Sequence, residues 1–231
     1  MSDLPSINPQ LLELIKSKSV LSKDTTDVAY AIFSQLKDLL TQMDKVLRKQ
    51  ISATDNRIKV EYKDKGVFEA ELKIADDVLI FIMHSNVFVF DGNHAVMKTS
   101  YVHDDNTRAT CSMISIYNFL SDSFKFERKN DVGNLVARIF INREKHFFVE
   151  GKKQLGVLFN DFGNDVLEEK TLQTIVETAL LFSFDADIIV PPFEQMKAIT
   201  VYQAIEYSVQ SSISTSKRLG FKSEETNRDA E

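Results

Sequence analysis

Possible metal ligands are concentrated in one short part of the chain. Histidine and aspartate side chains are common ligands of divalent metal ions, and they occur here at Asp91, His94, His103, Asp104 and Asp105. The apolar run 95–102 predicts a strand roughly 26 Å long, whose two ends cannot bind one ion. His84 could instead meet the loop that carries the last three of these residues, since both lie at the same end of the predicted hairpin. That set is one possible metal site.

Asp64, Glu71 and Lys73 resemble the carboxylate and lysine pattern, PD-(D/E)xK, of metal-dependent nucleases. Glu71 and Lys73 alternate on one predicted strand and share a face, as metal-assisted cleavage of a phosphodiester requires. Asp64 lies in the predicted turn, roughly 20 Å along the strand from the other two. A metal-dependent phosphodiesterase is therefore an alternative function, and the simpler interpretation is an exposed charged face opposite Lys59 and Glu61.

Other catalytic signatures are missing from the sequence. Cys111 has no recognisable nucleophile context, no G-x-S-x-G occurs, and Gly151-Lys152-Lys153 lacks the remaining residues of a phosphate-binding loop. We therefore assign no residue as catalytic or metal-binding and identify no cofactor. The sequence favours a protein without enzymatic activity.

Charge is unevenly distributed along the chain. The segment 125–153 contains eight Lys or Arg against four Asp or Glu, whereas 161–195 contains one Lys against eight acids. We predict a basic binding surface in the first segment, at Arg138, Arg143, Lys145, Lys152 and Lys153. Phe140, Phe147 and Phe148 interleave with these cations, as in surfaces that bind RNA or single strands. Two alternatives stay open: core phenylalanines beneath solvated charges, or docking on the acidic helix of this chain or a second copy.

The composition indicates a globular protein with an acidic balance. The chain has 231 residues and a net charge of -6, which lowers the expectation of non-specific DNA binding. Its single cysteine cannot form an internal disulfide, as is typical of a reducing compartment. The N-terminus lacks the features of an export signal, and the longest apolar run, 78–83, is too short to cross a bilayer. We therefore expect a cytoplasmic protein without a membrane segment.

Apolar periodicity predicts helices at both ends of the chain. Asn8 and Pro9 begin a short helix, and Ser22 or Asp24 begins a long one. The long helix has apolar residues at three- and four-residue steps, at Ala29, Ile32, Leu36, Leu39, Met43 and Val46. This stripe predicts packing against a sheet or self-association into a homodimer. Further helices are predicted from a capping-box-like start, Asp165 with Glu168, and over 198–213.

The segment between these helices, 57–160, is rich in strands separated by short turns. Tyr62 opposite Phe68 aligns the apolar faces of the first two strands and leaves a short loop that ends in Gly66, where glycine suits a positive φ. The run 78–83 is apolar at every position and predicts a central strand. Further strands are predicted over 87–90, 95–102, 109–117, 135–141 and 146–150, and a short one, beyond this segment, over 188–190.

These elements predict a single α+β domain over residues 1–216. Its mainly antiparallel sheet of about seven or eight strands is covered by the long N-terminal helix and two C-terminal helices. In this division 8–51 and 165–216 are helical, and 217–231 is a polar tail predicted to be disordered. A scaffold without a catalytic set favours a binding or adaptor protein. Its partner would be another protein, a second copy or a small anionic ligand, with nucleic acid less favoured.

Salt dependence tests the nucleic-acid interpretation of the basic segment. Affinity for labelled RNA or DNA should fall by about 0.7 to 0.9 log units per log unit of salt for each phosphate contacted. Arg143→Glu and Lys145→Glu should each weaken binding at low salt, because each reverses a charge that would face a phosphate. No binding at low salt would eliminate nucleic acid as the partner. If neither substitution changes the affinity, the hairpin is not the nucleic-acid binding site.

Overall fold

The computed structural model describes residues 7–152 and 154–186, and after them the isolated positions 188, 193, 198 and 200–202. Its first element is one helix of 46 residues, α1 (Pro9–Thr54), about 69 Å long at 1.5 Å per residue. The Asn8 side chain accepts a hydrogen bond from the Gln10 N–H at 2.9 Å. The predicted start of the first helix is therefore confirmed.

The two predicted N-terminal helices are a single helix. No proline or glycine occurs between residues 10 and 55, and Ser22 and Asp24, predicted as caps, lie inside α1. The Thr25 hydroxyl donates to the Leu21 carbonyl oxygen at 2.8 Å. Such a bond satisfies a polar side chain within a helix, so Thr25 does not interrupt α1.

In the described residues, six strands form one antiparallel sheet in which every strand lies beside its sequence neighbours, in the order β1 to β6. The strands are β1 (Val60–Asp64), β2 (Glu69–Ile74), β3 (Asp77–Met83), β4 (Cys111–Leu120), β5 (Asn134–Asn142) and β6 (Phe147–Gly151). Up to residue 186, the helices after α1 are α2 (Ser100–Asp104), α3 (Ser121–Lys125), α4 (Leu155–Leu158) and α5 (Glu169–Phe184), with 3₁₀ turns at Ala95–Lys98 and Asn106–Ala109. The structure is α+β, with an antiparallel sheet and an N-terminal helix, as predicted.

The sheet of the described residues has six strands instead of the predicted seven or eight, because the connection between β3 and β4 is not extended. The predicted strand 87–90 keeps only one bridge, from Phe88 to the start of β4, and the predicted strand 95–102 is helical. His94 and Thr99 cap its two turns by accepting backbone N–H hydrogen bonds at 3.3 and 3.4 Å. These local bonds outweigh the strand preference of the apolar residues between them.

The first hairpin has the predicted faces but a longer turn. Tyr62 lies opposite Leu72 instead of Phe68. This shift of the register is even, so the same side chains stay on each face of the sheet. Gly66 adopts the predicted positive φ, at 109°, where a side chain would be strained.

The observed register also improves the charge pairing between β1 and β2. The predicted register places Glu61 opposite Glu69, two like charges. In the structure Glu61 lies opposite Lys73, and Lys63 lies opposite Glu71. Opposite charges across an antiparallel pair stabilise it and like charges destabilise it, which is a physical reason for the longer turn.

The two faces of the sheet are covered differently. The helix face packs against α1 and α5 and holds the main core, where Leu36 and Leu40 of α1 and Phe81 of β3 are fully buried. The stripe predicted for α5 is buried too, at Leu172, Ile175, Val176, Ala179 and Phe182. On the opposite side, the outer face, a second core forms beneath the connection 84–110 and includes Phe140, Phe148 and Phe162. β3 lies between β2 and β4, as predicted for a central strand.

The C-terminal part of the prediction is covered only in part. α5 begins without the predicted capping box, because Glu168 at the N-cap makes no side-chain capping bond, and the Asp165 carbonyl oxygen accepts instead from the N–H of Phe147 in β6. The predicted strand 188–190, helix 198–213 and tail 217–231 lie outside the described residues, apart from isolated positions. Among the helices of the described ranges, none is long and apolar enough to cross a membrane.

The same substitution at two positions of α1 should have very different effects on stability. Leu36 is fully buried and Leu11 is 49% exposed. We expect Leu36→Ala to lower the free energy of unfolding by about 2 to 5 kcal/mol, and Leu11→Ala to change it by less than about 0.5 kcal/mol. Urea denaturation followed by circular dichroism measures both. Equal losses would contradict the packing of α1 on the sheet.

Candidate binding surfaces

The predicted basic residues lie along the hairpin of β5 and β6. Arg138 forms an ion pair with Glu150 on the neighbouring strand. Arg143, in the turn, bonds to Asp105 with 3.0 Å between Nη2 and Oδ2. Two of the predicted cations are therefore already paired with carboxylates.

The hairpin also separates the remaining cations. Lys145 lies exposed in the turn with φ of 64°, while Lys152 follows the far end of β6, roughly 23 Å further along the strand. Burial lowers the pKa of Lys152. Lys153 lies outside the described residues. The structure thus brings Arg143 and Lys145 together in the turn, and places Lys152 elsewhere.

The phenylalanines of this segment do not form a stacking surface. Phe140 and Phe148 are buried in the second core and Phe147 in the main core. The Arg138 guanidinium lies over the Phe140 ring, 5.4 Å from its centre. These rings therefore belong to the core, and they are not exposed for stacking on bases.

A polar network joins the hairpin turn to the connection 84–110. The Tyr101 hydroxyl donates to Glu144 Oε2 at 2.8 Å and accepts from Asn142 Nδ2 at 2.9 Å. The Arg108 guanidinium lies 4.4 Å from the centre of the Tyr101 ring. Burial, together with the nearby Glu144 carboxylate, raises the pKa of Tyr101 to about 12. This tyrosine stays protonated at neutral pH, and its role is to hold two parts of the chain together.

Asp105 takes part in the same network. Its carboxylate accepts hydrogen bonds from the Thr107 hydroxyl at 2.6 Å and from the Thr107 N–H at 2.9 Å. These bonds, and then the charge of Arg143, hold its pKa below the usual range. Asp105 is thus engaged by side chains and backbone, as expected of a structural carboxylate.

Neither predicted metal set comes together. His84 Nδ1 accepts from the Asn86 N–H at 3.0 Å, away from the network of Asp105. Asp64 points to the helix face, where Lys37 Nζ lies 2.7 Å from its Oδ1, while Glu71 pairs with Lys65 on the outer face. In the part of the chain that the structure describes, no three His, Cys, Asp or Glu side chains are grouped to hold a metal ion. The metal-dependent phosphodiesterase alternative therefore lacks a ligand set there.

A polar cleft of about 530 Å³ lies where α1 ends and β1 begins. Its charged lining residues are Asp55, Arg57, Lys59, Lys73, Asp76, Asp122 and Lys125. The two signs are nearly balanced, and Arg57 is bound to Asp55 at 2.6 Å. The cleft therefore shows no preference for an anion or a cation.

The N-terminal end of α1 carries a run of exposed apolar side chains. We call residues 7–20 the overhang, because every one of them is exposed, and the first buried residue of α1 is Thr25. Its large apolar residues are 42 to 64% exposed: Ile7, Leu11, Leu12, Leu14, Ile15 and Val20. The sequence shows this surface as a continuation of the core stripe beyond Ala29, interrupted by Lys18 and Ser22, but we did not predict it as a binding site.

The stripe predicted for self-association has a different role. Val46 of this stripe is exposed and Met43 is partly buried, but Ala29, Ile32, Leu36 and Leu39 are buried within the chain, where α1 packs on the sheet. They belong to the main core and are unavailable to a second copy. A homodimer would need another surface.

The two edges of the sheet differ. Along β6, the N–H groups of Phe147 and Val149 donate to Asp165 and Phe159 of the following segment, at 3.2 and 2.8 Å. Along β1, the bond from the Ala75 N–H to the Lys59 carbonyl oxygen fixes which residues face β2. Backbone groups alternate between the two sides of a strand, so those of Val60, Tyr62 and Asp64 point outward. In the described ranges no backbone partner meets them.

Cys111 is expected to be unreactive in the folded protein. Its thiol is fully buried, and burial raises its pKa, so the reactive thiolate is scarce. Alkylation with iodoacetamide should be more than about 100-fold slower than in denaturant. An introduced thiol at exposed Ser17 (Ser17→Cys) should react at once and serves as the control. Rapid modification of native Cys111, located by mass spectrometry, would contradict its burial.

Comparisons of the chain with protein-family models, with curated proteins and with solved structures find no match. The geometry of its own residues is therefore the basis for a functional proposal. In the described residues, that geometry provides an exposed apolar helix end, a sheet edge without a backbone partner and a hairpin whose arginines are paired.

Proposed function

We propose that the protein is a non-enzymatic, cytoplasmic binding or adaptor protein whose partner is another protein. The observation that carries this proposal is the overhang, with five large apolar side chains exposed on α1 and a sixth, Ile7, just before it. Contiguous exposed apolar surface is unfavourable in water and marks interaction sites. Its position at one end of α1 leaves it accessible to a partner.

The shape of the overhang favours a groove as the docking site on the partner. At 100° per residue, Leu14, Leu11, Ile15 and Leu12 span an arc of about 160° around the helix. A two-helix seam uses a narrower stripe that continues over several heptads, whereas this one is interrupted at Lys18. A short, wide apolar face is typical of a helix that lies in a hydrophobic groove.

Charge adds a second property of the partner. Between residues 9 and 23 the helix carries Lys16, Lys18 and Lys23 against Glu13 alone. A groove with an acidic rim would complement these lysines and favour the correct orientation of the helix. The proposed partner is therefore a protein with an apolar groove bordered by Asp or Glu.

Site-specific photocrosslinking tests the proposal. A photoreactive amino acid at Leu14 should crosslink to one partner protein in cells that contain the chain, and the same group at Lys16, on the polar side, should crosslink far less. With the purified partner, Leu14→Glu should weaken binding at least about tenfold, because a buried leucine contributes more than about 1.4 kcal/mol. Lys16→Ala should change binding less than about threefold.

Three results would contradict the proposal. A crosslink from position 14 to another part of the same chain would show that the overhang is covered internally. A crosslink to a second copy would make it a self-association surface. Binding of the purified partner that Leu14→Glu leaves unchanged would place the docking site elsewhere.

A further inference from the structure

The open edge of β1 offers a second, independent surface. Three residues present outward backbone donors and acceptors, and such an edge can add a strand from another chain. Proteins often protect an edge with charged side chains, and this strand carries Glu61 and Lys63 on the outer face. Whether these charges repel or attract a second strand depends on the register in which the two strands meet.

We propose that two copies of the chain pair through β1, antiparallel and about a two-fold axis at Tyr62, to form one continuous twelve-stranded sheet. In this register Tyr62 lies opposite Tyr62 of the second copy, and Val60 lies opposite Asp64 of the second copy. All of these residues have outward backbone groups, so each pair can exchange hydrogen bonds as an antiparallel ladder requires.

The charges select this register. On the outer face it places Glu61 opposite Lys63 of the second copy, and the symmetry makes this pair twice. Moving the axis to Glu61 would put Glu61 opposite itself, and moving it to Lys63 would put Lys63 opposite itself. Like charges directly opposite are destabilising. The register that pairs the most residues with outward backbone groups is thus also the one that places Glu61 opposite Lys63.

The same two side chains are near each other within one copy. Lys63 Nζ lies 3.2 Å from Glu61 Oε2 and 3.7 Å from Glu71 Oε1. Pairing of two copies would join Glu61, Lys63 and Glu71 of one copy with the same residues of the other into one alternating charge network on the outer face. Networks of this kind contribute more than isolated exposed pairs.

Charge reversal provides a specific test of this pairing. Analytical ultracentrifugation of the full chain should show a dimer. Glu61→Lys and Lys63→Glu should each weaken dimerisation at least about tenfold, because each creates two like-charge pairs. An equimolar mixture of the two variants should form a heterodimer, since the introduced lysine of one variant then faces the introduced glutamate of the other. The native Lys63 of the first variant likewise faces the native Glu61 of the second. Rescue in the mixture cannot result from a folding defect.

Controls separate this surface from the others. Glu69→Lys, on the second strand of the sheet and away from the edge, should leave dimerisation unchanged, and so should Leu14→Glu in the overhang. Amide exchange at Tyr62 should slow as the protein concentration increases, because its outward N–H becomes hydrogen-bonded. A monomer at high concentration, or a dimer that neither reversal affects, would overturn the proposal.

Discussion

The burial of one apolar stripe of α1 against the sheet is the interaction on which the structure depends. Leu36 and Leu40 are fully excluded from water, and α1 contacts β1, β2, β4 and β5. Apolar burial is the largest favourable contribution to folding, and α5 covers the remaining helix face. Because the stripe is buried in the core, other molecules can bind only to the surfaces that stay exposed.

The elements with strong periodicity were predictable from the sequence. The α1 stripe, the central strand β3 and the apolar face of α5 each bury most of a regular apolar pattern, and such a pattern is what a single sequence shows directly. The conformation of the connection between β3 and β4 was not predictable in this way, because it depends on side-chain caps at His94 and Thr99. The register of the first hairpin depends on charge pairs between the two strands. The turn residues alone do not reveal these pairs.

The candidate surfaces were less predictable, because they depend on contacts between distant parts of the chain. Arg143 is paired with Asp105, 38 residues away in sequence, so a segment that is basic in the sequence contains neutralised pairs in the structure. The aromatic residues beside it are buried for a similar reason: the connection 84–110 returns over the outer face. The open edge of β1 is visible only once the order of the strands is known.

The distance in sequence between α1 and its partner strands has a consequence for synthesis of the chain. α1 is made first, but β5, which it contacts, ends at Asn142, 88 residues after the end of α1. At about 5 to 20 residues per second, the apolar stripe would wait roughly 4 to 18 s on the ribosome before its full binding surface exists. During this interval a helix-forming segment with exposed leucines is a substrate for chaperones. The order of the elements thus makes early folding of this chain dependent on protection of its N-terminal part.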